Sequence, residues 1–321
     1  MRRVLACRAI LHSSLRSRSA SVDHFIAIVT AGKSQFDVDL GVIYTHEDDY
    51  MPPLLSTLAA SGPGLRLRLL LVDNASDSGA KKWLKHFPNV QIIRNQQRLN
   101  YAENLNRVLE AGDAPFAMLL NTDMFFEPEE QTVARLTNFM RMHPECGLAA
   151  CRLYHPDGTY GFPARRFQSL RTIAGRRLGL GRLFPTSLRN HLYAEHEHTD
   201  AFACDWVSGC LMFVRRAALE DVGLLDESYG KYFEDVDYCL RMQQHGWQVM
   251  FTGETYAWHW EQRSSKRLWS KDAWRHVRSY TKFLRKWGFS PQKIAQAGLE
   301  SGAARSKTRT QMTQPPAGRA A

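Results

Sequence analysis

The sequence predicts an α/β fold built on a mostly parallel sheet with helices on both faces. Three observations carry that expectation. Between residues 38 and 142, apolar runs and amphipathic stretches alternate in the order β-α-β-α-β-α-β-α, which is the pattern of βαβ units. The apolar runs are short and rich in Leu, Val and Ile, as strands buried on both faces require. Three polar clusters, over 45–49, 73–77 and 121–123, each follow directly on an apolar run, and in such a sheet those ends share one edge.

The first strand is read at 38–44, Val-Asp-Leu-Gly-Val-Ile-Tyr. A helix is expected over 49–60, with Pro52 and Pro53 in its first turn, where a missing N–H costs nothing. A second strand over 65–72 closes in Asp73-Asn74-Ala75-Ser76-Asp77-Ser78-Gly79, a dense loop signal. A short helix at 81–87, a strand at 90–94 and a helix at 102–111 follow. A fourth strand at 115–120 ends in Asn121-Thr122-Asp123. The helix expected over 129–142 spaces Val133, Leu136, Phe139 and Met140 along one face. Beyond residue 150 the periodicity loosens, and 155–200 reads as an irregular excursion rich in Arg, Gly, His and Pro. Strand-like runs return at 206–214 and 247–251, with a helix at 238–245 between them.

A formal charge of +10 invites a nucleic-acid partner, but its distribution argues against one. Residues 1–22 hold five Arg and no acid, and 263–286 hold nine basic groups against Asp272 alone. Residues 39–262 hold 22 basic and 28 acidic groups, so the centre is mildly acidic. A groove for nucleic acid needs the opposite. None of the six Cys forms a Cys-x-x-Cys pair, which argues against a zinc site or disulfide framework and for a reducing compartment. No apolar run nears the roughly 20 residues that span a bilayer. Residues 1–37 are expected to be disordered, although 1–22 share the Arg- and Ser-rich, acid-free character of a transit peptide. Residues 301–321 are expected to form a disordered tail.

Four constellations carry chemistry. Asp73 and Asn74 either hydrogen-bond a base or ribose, or serve the loop as caps for the next helix. Asp123, pinned between a strand and Met124-Phe125-Phe126, offers a hard oxygen to a divalent cation, Mg²⁺ or Mn²⁺. Glu234, Asp235 and Asp237 crowd three carboxylates into four positions, which raises at least one pKa and suits proton abstraction. The same acids also suit a helix N-terminus. His259, between Trp258 and Trp260, is either a satisfied core residue or a ligand to a metal or diphosphate.

Together these segments resemble the inverting family-2 glycosyltransferases, and among them the bacterial rhamnosyltransferase-like branch. The resemblance runs from Val38 to Ser265. It rests on Thr45 after the first strand, Asp73-Asn74-Ala75-Ser76-Asp77, Leu99 through Asn106, Leu119-Leu120-Asn121-Thr122-Asp123, Val207-Ser208-Gly209-Cys210-Leu211-Met212 with Arg215-Arg216, Phe233-Glu234-Asp235-Val236-Asp237-Tyr238, and His259 with Ser264. Arg98, Asn100 and Glu47 depart from the usual Asn, Gly and Asn, and the metal motif has one Asp rather than two.

The resemblance implies a GT-A fold, Rossmann-like, with a nucleotide-sugar half over 38–125 and an acceptor half over 126–265. It implies donor contacts from Thr45, Glu47, Asp73, Asn74, Asn106, Asn121 and Asp123, and acceptor contacts from Trp206, Gly209 and Glu234. Asp235 becomes the catalytic base, and Asp123 with His259 the ligands of a divalent cation. The partners implied are a nucleotide-diphosphate sugar and a saccharide or lipid-linked acceptor, with no nucleic acid. Arg165, Arg166, Arg171, Arg176 and Arg177 face either an anionic acceptor or solvent. The basic, Trp-bearing extension at 266–300 rests through 266–287 either on an anionic membrane surface or on the domain itself. A cytoplasmic enzyme, peripheral at the inner face of the membrane, is the location expected. Two rivals fit less well. A nucleotidyltransferase wants a Gly-rich basic loop after the first strand, where this chain has Thr45-His46-Glu47-Asp48-Asp49. A binding module without activity has no use for Glu234-Asp235 and Asp123 together.

Overall fold

The computed structural model describes residues 34–168, 172, 180–260 and 271–313, and the chain from Phe36 onward forms one compact unit. Eleven strands are described: β1 (Val38–Tyr44), β2 (Leu67–Asp73), β3 (Val90–Arg94), β4 (Phe116–Leu120), β5 (Met124–Phe125), β6 (Cys146–Tyr154), β7 (Ala164–Arg165), β8 (Ala201–Ala203), β9 (Trp206–Val207), β10 (Leu211–Arg215) and β11 (Gln248–His259). The described α-helices are α1 (Met51–Ala60), α2 (Tyr101–Ala111), α3 (Thr132–Met142), α4 (Pro185–His191), α5 (Arg216–Val222), α6 (Glu234–Gln244), α7 (Lys271–Trp287) and α8 (Pro291–Thr313).

The main sheet runs β3-β2-β1-β4-β10-β6-β11-β5, with β8 also paired to β11. Strands β3, β2, β1 and β4 are parallel throughout, as the alternating pattern predicts. The chain steps from β1 outward to β2 and β3, then returns to place β4 on the other side of β1. That reversal is a topological switch point, where adjacent connections leave in opposite directions and open a crevice at the carboxyl ends. Antiparallel β10 then joins β4 to β6. A separate ribbon pairs β7 with β9.

Several expected boundaries shift. The short helix at 81–87 is a 3₁₀ turn over Ala80–His86. The helix expected from 129 is broken at Gln131, whose left-handed φ of 49° separates a 3₁₀ turn from α3. The helix expected at 238–245 begins at Glu234. Strand β6 crosses the point where the sequence pattern loosens, because both its faces are buried and it shows no alternation. Helix α8 continues through residues 301–313, where a disordered tail is expected. Those residues include Ala, Arg, Lys, Gln and Met, all helix formers, and Pro315 is the first barrier. Residues 1–33 and 314–321 lie outside the described residues, as do Arg171, Arg176, Arg177, Ser264, Lys266 and Trp269.

The extension packs on the domain. Phe283 of α7 is buried. Helix α8 crosses α6 so closely that a Cβ on Gly298 would stand 2.3 Å from the Gln243 carbonyl oxygen. Only glycine permits that approach, and the approach fixes the end of α6.

One core carboxylate interrupts the apolar run of β1. Asp39 is fully buried and accepts Arg68 Nε at 2.7 Å and the Ala114 amide at 2.9 Å, with Arg216 at 3.6 Å. These bonds tie β1 to β2, to the entry of β4 and to the start of α5. Removing the acid leaves two part-buried guanidinium groups without it, so Asp39→Ala should lower unfolding free energy by about 3–5 kcal/mol. Urea titration checks it, and a loss below about 1 kcal/mol would refute the assignment.

Candidate active site

The crevice at the β1–β4 switch point is a cavity of about 360 Å³. Ile43 and Thr45 line it from the end of β1, and Leu120, Asn121, Thr122 and Asp123 from the end of β4. Glu47, Tyr50, Asn74, Leu99, Tyr101 and Asn104 complete the wall. Glu47 accepts the Thr45 amide at 2.7 Å and the His46 amide at 3.0 Å, which curls the β1–α1 loop around its own carboxylate. Asn74 Oδ1 accepts the Leu99 amide at 2.8 Å and Asn95 Nδ2 at 3.0 Å. Asn95 Nδ2 also stands 2.7 Å from Asn104 Oδ1. This buried amide network joins the ends of β2 and β3 to the start of α2. Asn100, the departure from the family's Gly, caps α2 in a reciprocal pair with Glu103.

Asp73 and Asn106 do not reach this cavity. Asp73 is 1% exposed, and its oxygens accept the Ser76 amide at 2.9 Å, the Ala80 amide at 3.1 Å and Arg94 at 2.5 Å. Burial opposes its ionisation, but these partners outweigh burial and hold its pKa below the usual carboxylate range. Its carboxylate closes the loop over 73–80. Asn106 is buried behind the cleft. It donates to the Leu225 carbonyl at 3.0 Å and to Glu227 at 2.9 Å and accepts the Leu225 amide, so it tethers α2 to the 224–227 segment.

A second, larger cavity of about 1120 Å³ adjoins the first and shares Tyr101, Asn121 and Asp123 with it. Ser208, Gly209, Cys210, Glu234, Asp235 and His259 line it. Antiparallel pairing of β5 with β11 sets His259 opposite Met124 and so beside Asp123. His259 Nε2 stands 3.3 Å from Asp123 Oδ1, and the Trp260 amide donates to the Asp123 carbonyl at 2.8 Å. Burial disfavours charge on His259, but the Cys210 sulfur and the Asp123 carboxylate outweigh it and raise its pKa. Asp123 and His259 keep 16% and 13% of their side-chain surface exposed to the cavity. An oxygen and an imidazole nitrogen suit a divalent cation that takes its remaining ligands from a diphosphate. Among the described residues no group of three His, Cys, Asp or Glu could hold a metal by itself.

Asp235 and Glu234 occupy the first turn of α6. Asp235 Oδ2 accepts the Gly209 amide at 2.9 Å, and Oδ1 accepts the Val236 amide at 2.8 Å. Burial raises the Asp235 pKa, opposed by these amides and by Arg165. A Cβ on Gly209 would lie 3.3 Å from the Asp235 carboxylate, so the glycine lets β10 and α6 approach. Burial, then repulsion from Asp235, pushes Glu234 up to about 8, and its Oε2 has no partner among the described residues. The turn before them is strained. Tyr232 and Phe233 both take left-handed φ, 72° and 70°, which costs on the order of 1–3 kcal/mol each. Phe233 offsets that cost by burial against His276, Tyr280 and Phe283 of α7, with ring centroids 5.1–5.5 Å apart. Ser279 of α7 donates to the Lys231 carbonyl at 2.8 Å.

Two other expected contacts are relocated. Trp206 is buried and does not line the second cavity; its indole N–H donates to the Arg166 carbonyl and Arg165 stacks on its ring. It supports the acceptor side without lining it. Arg166 is paired with Glu195 and stacked on Tyr193 rather than turned toward the cleft. Tyr101 is the site residue that sequence reasoning misses. Its hydroxyl lies 2.9 Å from Asn121 Oδ1 and 2.8 Å from the Gly209 carbonyl, bridging the two cavities. Its only local signal is its position directly after the α2 cap. Ser208, Cys210 and Asn104 were not singled out for the site either.

With this geometry in view, comparison with known proteins decides the family. The family model described as glycosyl transferase family 2 matches residues 40–223. The chain belongs to that family. As a family-2 glycosyltransferase it is similar to the N-acetylglucosaminyl-diphospho-decaprenol L-rhamnosyltransferase of Mycobacterium tuberculosis, 27% identical over 212 residues that span 62% of this chain and 68% of the relative. It is also similar to rhamnosyltransferase WbbL of Escherichia coli, 21% identical over 256 residues, 76% of this chain and 91% of the relative. The mannosyltransferase PcManGT of Pyrobaculum calidifontis, solved with GDP-Man and Mn²⁺, shares the fold with a TM-score of 0.53 at 15% identity, over 88% of this chain and 77% of that one. The GT-A architecture and the glycosyltransferase activity expected from sequence are both borne out.

The raised Glu234 pKa has a consequence for stability. Its proton is held more tightly in the folded chain than in the unfolded one, so stability declines as pH rises from the ordinary Glu range toward about 8. Glu234→Gln should flatten that decline between about pH 5 and pH 8, measured by scanning calorimetry. A melting-temperature profile parallel to the parent's would show that Glu234 is ionised in the folded chain.

Proposed function

We propose that this enzyme moves a sugar, with inversion, from a nucleoside-diphosphate donor to a hydroxyl of a saccharide carried on a lipid diphosphate. The observation that carries the reading is that Asp123 and Asp235 line one cavity, joined through Tyr101 and Asn121 to the crevice at the switch point. The nucleoside lies against Thr45, Glu47, Asn74 and Asn104, and the diphosphate reaches Asp123. A divalent cation held by Asp123 and His259 would supply charge stabilisation to the departing diphosphate. Asp235, half-buried and raised in pKa, takes the proton from the acceptor hydroxyl as that oxygen attacks the anomeric carbon from the face opposite the leaving group. The Gly209 and Val236 amides hold its carboxylate in place. Glu234, protonated at neutral pH, adds no second negative charge beside it.

The acceptor class draws its support from the relatives, whose names include a transferase acting on a diphospho-decaprenol saccharide, and rhamnose is the sugar those names favour. Among the described residues no helix is long and apolar enough to cross a membrane. On α7, Trp274 and Val277 are exposed, which favours peripheral contact with a membrane surface at the cytoplasmic face.

Asp235→Asn should slow transfer by about 10²–10⁴-fold while donor affinity stays, read by single-turnover kinetics and calorimetry across several nucleotide sugars. Turnover near the parent's would reject Asp235 as the base. For Asp123→Ala, donor affinity should lose its dependence on added Mn²⁺ or Mg²⁺, and an unchanged metal titration would remove the metal from the reading.

A further inference from the structure

The larger cavity has a feature that the transfer step as described leaves unused. Four cations of α7, Arg275, Arg278, Lys282 and Arg285, line the same space as Asp235 and Asp123. They stand at successive spacings of three, four and three residues, which puts them on one helical face. Another face of α7 carries Phe283, buried against Phe233, and Ser279, which also lines the cavity, is tied to the 229–231 segment. Helix α7 is therefore held rigidly, with its cationic row turned toward the cavity.

Two of the charges in this row are unspent. Arg278 and Arg285 make no ion pair with any described residue. Lys282 stands 4.0 Å from Asp226 and over the Tyr229 ring. By contrast, Lys286, which does not line the cavity, is committed to Asp226 at 2.8 Å and to Asp237 at 2.9 Å. A row of like charges along one wall costs self-repulsion unless an anion meets it. The donor's diphosphate already has a place at Asp123 and His259, where the two cavities meet. Trp274 and Val277, exposed on the flank of the same helix, add an apolar margin beside the cations.

We propose that the Arg278–Arg285 row of α7 binds the diphosphate of the acceptor and so presents the acceptor's sugar hydroxyl to Asp235. This rests on the donor–acceptor reading above and adds the group by which the acceptor is recognised. A guanidinium meets phosphate oxygens bidentately, and charge-assisted bonds of this kind are the stronger class. The enzyme would then discriminate by the charge at the reducing end of its acceptor, with the prenyl chain leaving along the apolar margin. The same anion chemistry has a second source, the headgroups of an anionic membrane, and the test separates the two.

The experiment compares the parent chain with Arg278→Gln/Arg285→Gln. Both residues are exposed, so the fold should survive, and a thermal melt checks this. Two soluble acceptors carry the same saccharide in detergent without vesicles, one on a short prenyl diphosphate and one on an uncharged alkyl chain. The variant should raise KM for the diphosphate acceptor by about tenfold or more, as expected for lost charge-assisted bonds, with KM for the alkyl acceptor and affinity for the donor nucleotide unchanged. Calorimetry with the short prenyl diphosphate alone should show binding to the parent weakened to the same degree in the variant. An equal KM change on both acceptors, or none on the diphosphate one, overturns the proposal. So does a defect that emerges only when anionic phosphatidylglycerol vesicles present the acceptor, which would assign the row to the membrane. A parent chain that transfers to neither acceptor while still hydrolysing a nucleotide sugar overturns the lipid-diphosphate acceptor itself and leaves the donor chemistry standing.

Discussion

The site depends on two acidic side chains held side by side at the start of α6, Glu234 buried and Asp235 half-buried. Burying a carboxylate without a cationic partner is unfavourable, and burying two together is more so. The chain accommodates them by holding a proton on Glu234 and by aiming the Gly209 and Val236 amides at Asp235. It must also keep the turn before them left-handed at two non-glycine residues. Helix α7 supplies that restraint through the aromatic cluster around Phe233 and the Ser279 bonds to the 229–231 segment. Helix α7 is therefore a structural support of the candidate active site.

The same restraint explains why the two halves of the cleft meet. The β1–β4 switch point opens one crevice, and the turn into β10, which lies antiparallel between β4 and β6, sets Gly209 against Asp235 in the second cavity. Tyr101 spans the seam between them by touching Asn121 and the Gly209 carbonyl. The Asp123–His259 pair closes the seam from β5 and β11. Four separate stretches of chain thus surround one region, and each is tied to a neighbour by a backbone or ring hydrogen bond.

Much of this was legible in the sequence because it depends on local pattern. The strands β1 to β4 are apolar runs ended by polar clusters, and the acids at Asp123, Glu234 and Asp235 stand at element ends where burial makes them costly. Asp73 and Asn106 are harder to read, because a polar residue at a strand end or helix face looks the same in sequence whether it faces a ligand or its own loop. Asp73 satisfies two loop amides, and Asn106 satisfies both backbone groups of Leu225. Which of the two roles a polar group takes is decided by what lies opposite it, and that lies far away in the chain.

The sequence by itself determined the parallel donor half, the edge on which its polar clusters gather, and the residue types able to hold a cation or take a proton. Periodicity and strand-end chemistry act over a few residues, so they can be read there. Only the tertiary structure decided that His259 stands beside Asp123, that Tyr101 bridges two cavities, and that the basic extension forms one wall of the catalytic cleft. Each of these comes from strand register or helix docking between segments tens to more than a hundred residues apart. The free energy that selects them is side-chain packing across the whole core, which no local window contains.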